Sequence, residues 1–309
     1  MHKIFVNLKR FEVPRRVGGL CPTDNPVKWI ESVMEETVAF GLGSLEAVQL
    51  TYMLPEGLVA PAVNRLSQFT PSETRRLAIG CQGVHWEDIR PGKNFGAFTT
   101  SLPAASARNL GATWAIIGHS EERKAKLQIM QAFDPAIQSD AELRAKANAA
   151  VNGLVQAEVR NALEDGLNVL MCVGETAEER GEGTLDEQKP RIEQVLAAQV
   201  KAGLASVAEA GTGRDFVIGY EPVWAIGPGK TPPGKEYISF VSSLIKTIGK
   251  ESFGIDPTVV YGGGLKEENA AMIASIETIG GGLVGLTRFT GEIGFDVEGL
   301  RKIIEKYLG

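Results

Sequence analysis

Short apolar runs rich in β-branched residues alternate with longer amphipathic stretches from one end of the chain to the other. The runs fall at 3–7, 46–53, 77–82, 113–118, 167–173, 215–220, 257–262 and 282–286. Each is continuous rather than alternating in polarity, as expected of parallel strands covered on both faces. Helical patterns occupy 26–41, 57–69, 139–165, 185–204, 234–251, 266–275 and 296–308; in the last, Val297, Leu300, Ile303, Ile304 and Leu308 follow i, i+3, i+4 spacing. Eight strands, each leading into a helix, predict an α/β fold of one closed (β/α)8 barrel rather than two open sheets. The chain of 309 residues is long enough for two domains at ~150 residues each. No Gly/Ser linker interrupts the pattern, however, and 1–309 reads as one barrel domain. Two segments exceed what a minimal barrel needs, 10–25 after the first strand and 124–152 before the fifth, and both are expected as extended loops.

Composition excludes several function classes. A net charge of −6 and a pI near 5.4 argue against a nucleic-acid partner, which needs a basic face. No run approaches the ~18 apolar residues of a membrane span, and the charged start MHKIFVNLKRF does not resemble an export signal. Cys21, Cys81 and Cys172 are odd in number and lack metal-like spacing, so they read as reduced thiols of a cytoplasmic protein.

Active sites of such barrels lie at the C-terminal ends of the strands. The polar residues there are Asn7 and Lys9 after the first strand, His119 after the fourth, Glu175 after the fifth and Glu221 after the sixth, with glycines after strands six, seven and eight. An ammonium, an imidazole and a carboxylate beside Gly-rich backbone can abstract a proton, steady the resulting anion and hold a phosphate. Taken singly, Lys9 reads as a solvated charge, His119 equally as a structural or a catalytic imidazole, and Glu175 as a structural ion-pair partner. Glu221 is harder to dismiss: it follows an apolar strand and precedes Pro222-Val223-Trp224, where an unpaired carboxylate is costly.

The segment GYEPVWAIGPGKTP (219–232) resembles the catalytic-glutamate and lid segment of the triosephosphate isomerase family. IIGHSEERK (116–124) is similar to that family's histidine motif, LNVLMCVGET (167–176) to the segment after its fifth strand, and VNLK (6–9) to its Asn-x-Lys pair. CQGVHWE…GAFTT (81–100) resembles its dimer loop, and YGGGLKEENA (261–270) its seventh-strand loop. The resemblance implies a TIM-barrel isomerase, cytoplasmic and homodimeric through the loop around Thr99, working in glycolysis and gluconeogenesis without metal or organic cofactor. It implies interconversion of dihydroxyacetone phosphate and glyceraldehyde 3-phosphate by enediolate proton transfer. Glu221 is then the base, neutral His119 moves protons between the oxygens, and Lys9 steadies the developing charge. Asn7, Gly227, Gly264 and Gly285 are implied as substrate-binding, Ser120 and Glu121 as supporting residues, and 222–231 as the closing lid.

The departures from the family pattern cluster at the phosphate end. Gly262-Gly263-Gly264 stands where Gly-Gly-Ser is usual, and Leu286 replaces the second glycine after strand eight. Glu122 stands in place of an arginine, and Gly83 in place of an asparagine. These changes leave open another small sugar phosphate, such as a tetrulose phosphate, as substrate, and a non-catalytic phosphate-binding barrel as a further reading. Arg288 could replace the lost phosphate donors, or could pair with Glu292 or Asp296 on the surface.

Overall fold

The computed structural model describes residues 1–211, 213–227 and 229–309; Thr212 and, within the lid segment, Pro228 lie outside the described residues. Eight parallel strands close into one barrel in chain order. They are β1 (His2–Asn7), β2 (Val48–Leu54), β3 (Leu77–Cys81), β4 (Trp114–Ile117), β5 (Asn168–Val173), β6 (Phe216–Tyr220), β7 (Thr258–Tyr261) and β8 (Gly281–Val284). The ring closes through β1 and β8, where Phe5 lies beside Leu283. The pleat sends successive side chains to opposite faces. Phe5, Met53, Trp114, Ile116, Leu170, Cys172, Val217, Val260 and Leu283 fill the barrel interior, with Phe5 edge-on to Trp114 at 5.1 Å. Their neighbours, among them Ile4, Val6, Ile117 and Val173, face the surrounding helices. Both faces are therefore apolar, which is why the strands read as unbroken runs.

The helices are α1 (Pro26–Ala39), α2 (Glu56–Leu66), α3 (Pro71–Thr74), α4 (Ala104–Asn109), α5 (Ser120–Phe133) and α6 (Ala141–Glu164). After β5 come α7 (Ala177–Arg180), α8 (Leu185–Ala210), α9 (Lys235–Phe253), α10 (Ala270–Ala274) and α11 (Val297–Leu308). Among the described residues no helix is long and apolar enough to cross a membrane.

Two expectations need correction. The segment 124–152 is not an extended loop but a helical hairpin made of α5, a 3-10 turn at Pro135–Gln138 and the first half of α6. Asp134 and Asp140 supply the caps: Asp134 accepts from Ala136 N–H, and Asp140 from the N–H groups of Glu142 and Leu143. α5 has no fully buried residue, and the face it half-buries (Glu122, Arg123, Lys126, Leu127, Met130, Gln131) is mostly polar, so it carries no apolar stripe to read. The helix expected over 266–275 forms only at α10. Asn269 accepts from Lys266 N–H and donates to Gly264 O, which holds 264–269 as a shaped loop instead. The 10–25 segment is irregular, as expected, and is closed on itself by a bridge between Pro14 and Cys21.

Candidate active site

The strand ends deliver Lys9, His119 and Glu221 to one mouth. Glu221 directly follows β6 and is 2% exposed. Glycines flank it because nothing larger fits: a Cβ at Gly262 would meet Glu221 Cγ at 2.9 Å, and one at Gly174 would meet Glu221 O at 1.8 Å. Its Oε2 accepts from Ser120 N–H (2.9 Å) and its Oε1 from Ser120 Oγ (3.1 Å). His119 Nε2 lies 3.1 Å from the same Oε1.

His119 caps the N-terminus of α5, and its Nδ1 accepts the backbone N–H of Glu121 at 3.2 Å. A ring nitrogen that accepts an N–H carries no proton, so the network assigns the proton of a neutral imidazole to Nε2, facing Glu221. The arrangement thus presents a carboxylate base and a neutral N–H donor side by side, within reach of one small substrate.

Lys9 completes the group from the other side of the mouth. Its backbone is left-handed, with φ of 41°, a conformation that costs energy outside glycine. Asn7 Oδ1 accepts from Lys9 N–H at 3.0 Å, while Gln82 Nε2 donates to Lys9 O at 2.8 Å and reaches Asn7 Oδ1 at 3.2 Å. Asn7, 5% exposed, therefore uses its carbonyl to hold the lysine's backbone. Lys9 Nζ reaches Glu121 Oε1 at 2.6 Å. Burial pushes the Glu121 carboxyl up, but the bonded ammonium outweighs it and the group titrates below the usual carboxylate range.

Glu175 is not the ion-pair partner expected. No cation lies within 4.0 Å of it among the described residues; instead its Oε1 accepts from Tyr220 OH (2.9 Å), Trp224 Nε1 (2.8 Å) and Tyr237 OH (2.8 Å). Burial raises its pKa against the pull of these three donors. Trp224, whose ring also stacks 3.8 Å from the Arg180 guanidinium, is thereby tied down at the start of the lid. Gly227 follows in that lid, with φ of 122°.

A buried cluster supports the histidine loop from behind. Glu122 accepts Gly118 N–H at 2.7 Å, and Lys126 bridges Glu122 to Glu158. Burial, and then the charge of Glu122, push Glu158 far up, so one proton stays with the two carboxylates and the trio is neutral. Arg123 donates to Gly118 O (2.8 Å), Asn152 Oδ1 (2.7 Å) and Cys172 O (3.2 Å). The carboxylate that replaces the family's usual arginine thus anchors the backbone one residue before His119.

At the opposite end of the mouth, Leu265 N–H donates to Leu283 O at 2.8 Å, laying Gly264 and its loop across the end of β8 next to Gly285. A Cβ at Gly285 would meet nothing within 4 Å, so its backbone is approachable. The stretch after it folds into a hairpin in which Arg288 pairs with Gly294. That hairpin places Arg288 Nε 3.0 Å from Asp296 Oδ2, the contact expected of the surface-pair reading. Sequence reasoning missed Gln82 and Tyr237 as parts of the site. Gln82 alone had a local signal, as a polar residue ending a buried strand.

A profile of the triosephosphate isomerase family matches residues 44–295. A triosephosphate isomerase of Chlorobium phaeobacteroides (strain BS1) is 32% identical over 254 residues, 81% of this chain and 86% of that protein. One of Marinobacter nauticus is 32% identical over 232 residues, covering 74% of this chain and 77% of the relative. Among solved structures, the triosephosphate isomerase of Bartonella henselae superposes with a TM-score of 0.65 over 100% of this chain and 99% of that one, at 22% identity. The last likeness concerns the fold alone; the sequence matches carry the family. The chain belongs to the triosephosphate isomerase family.

Proposed function

We propose that this protein interconverts dihydroxyacetone phosphate and glyceraldehyde 3-phosphate through an enediolate. The observation that carries this reading is the contact of His119 Nε2 with Glu221 Oε1 at 3.1 Å, in a mouth that also holds the Lys9 ammonium. Glu221 removes the carbon-bound proton, and His119 donates from Nε2 to the carbonyl oxygen and shuttles protons between the two oxygens. Lys9 steadies the oxyanion, Asn7 fixes the lysine and the substrate, and Ser120 and Glu121 hold Glu221 and Lys9 before substrate arrives. The backbone at Gly227, Gly264 and Gly285 receives the phosphate, and closure of 222–231 excludes water from the intermediate. The proton shuttled by Glu221 exchanges with solvent. Purified protein given glyceraldehyde 3-phosphate in D2O should therefore release dihydroxyacetone phosphate carrying deuterium at the carbon that gains the proton. Absence of turnover, or turnover with no deuterium, overturns the mechanism.

The whole chain is proposed to act as one domain, in the cytoplasm, where the buried thiols of Cys21, Cys81 and Cys172 stay reduced. It is further proposed to work as a homodimer through the loop around Thr99. Phe98 in that loop is half-buried, its ring edge-on to His85 at 5.6 Å. The exposed aromatic is Phe95, at 87% and with φ of 51°. Burying a phenyl ring in a partner contributes ~1.5–3 kcal/mol, so Phe95→Asp should weaken the dimer at least ~10-fold in sedimentation velocity. A wild-type protein that is monomeric at micromolar concentration yet fully active refutes the dimer.

A further inference from the structure

We propose that Lys266 is the cation that binds the substrate's phosphate dianion, in place of the hydroxyl this chain lacks at Gly264. The inference rests on the proposed isomerase reading and adds to it the residue that recognises the charged end of the substrate. The loop after β7 explains the missing hydroxyl: Gly264 sits at φ of 91°, where any side chain is strained. The same loop carries a cation past that point. An atom in the Cβ position of Gly264 would lie 3.9 Å from Lys266 Cε, so the lysine stem runs beside the bare backbone. Its Nζ stands 4.2 Å from the centre of the Phe289 ring, on the hairpin after β8. The ammonium is thus held by a cation–π contact at the junction of the two loops that provide Gly264 and Gly285.

Several cations on the neighbouring loops face carboxylates instead. Arg10 contacts Glu12 and Glu56, Arg15 contacts Glu292 at 2.5 Å, Arg16 contacts Asp24, and Arg288 contacts Asp296. Lys9 is engaged by Glu121. No carboxylate lies within 4.0 Å of Lys266 Nζ among the described residues. The side chain is half-buried, so its charge is less screened than that of a fully solvated lysine. The loop is rigid enough to aim it, because Asn269 ties Lys266 N–H to Gly264 O. An ammonium serves a phosphate as a point charge, and this geometry asks for no more.

The test measures inorganic phosphate affinity by calorimetry for wild type, Lys266→Met, Lys266→Arg and Arg288→Ala, alongside kcat/KM on glyceraldehyde 3-phosphate and on unphosphorylated glyceraldehyde. Lys266→Met should bind phosphate at least ~10-fold more weakly. Its loss of kcat/KM on the phosphorylated substrate should exceed its loss on glyceraldehyde by a similar factor, mainly through KM. Lys266→Arg should recover most of the phosphate affinity, and Arg288→Ala should keep it. Unchanged phosphate affinity in Lys266→Met, or equal losses on both substrates, overturns the assignment. If wild type binds phosphate through Lys266 yet turns over no triose phosphate, the isomerase reading fails while the phosphate site stands.

Discussion

Glu221→Asp is expected to cut kcat on glyceraldehyde 3-phosphate by at least ~100-fold while the barrel stays folded. Removing one methylene withdraws the carboxylate by ~1 Å, and a misplacement of that size at a reacting atom can cost that much. The surroundings cannot follow the shortened side chain. Gly174 and Gly262 pack against the residue so closely that neither tolerates even a Cβ, and the backbone N–H of Glu221 is bonded to Val173 O at 2.8 Å. The hydrogen bonds from Ser120 N–H and Oγ stretch for the same reason, so the aspartate is also less well aimed. Stability changes little, since one buried methylene is worth ~0.8 kcal/mol. The check pairs kcat with thermal unfolding of the same preparation. Near-normal turnover with an unchanged melting curve removes Glu221 from the base role; a large fall in both would assign the loss to structure.

The barrel was legible because burial on both faces leaves stretches such as VLMCV at 169–173 with no polar position at all. The proposed catalytic trio was legible for a related reason. Once strand direction is known, the first polar residue past each apolar run is forced to one end, and that rule finds Lys9, His119 and Glu221 without contacts. What stayed hidden depends on partners distant in sequence. Tyr220, Trp224 and Tyr237 converge on Glu175 from β6, the lid and α9, and nothing near Glu175 in the chain announces three donors. α5 stayed hidden because the face it half-buries is mostly polar, so the apolar periodicity that reveals helices was absent. Arg288 read ambiguously because its partner depends on a hairpin. Only the pairing of 288 with 294 brings Asp296 to the guanidinium.

Lys9→Ala should lower kcat/KM by at least ~10³-fold, with little change in stability. Removing a single neutral donor from an oxyanion site costs ~10²–10³ in kcat, and Lys9 contributes a full charge. The local geometry makes the variant a clean probe of that charge. Every contact that maintains the left-handed backbone at position 9 is made to main-chain atoms: Asn7 Oδ1 takes its N–H, and Gln82 Nε2 reaches its carbonyl. Alanine keeps both, and it carries the same Cβ into the same strained φ, so the strain penalty is nearly unchanged. The salt bridge to Glu121 is lost, but the carboxylate is largely exposed and the pair adds little to folding. Catalysis loses more than the ammonium, because Glu121 then stands without its counter-charge near the developing anion and repels it. Lys9→Ala combined with Glu121→Gln should therefore recover part, though not most, of the lost rate, a non-additivity that a double-mutant cycle reads directly. If Lys9→Ala alone keeps most of its activity, the enediolate charge is met by another cation and Lys9 leaves the mechanism.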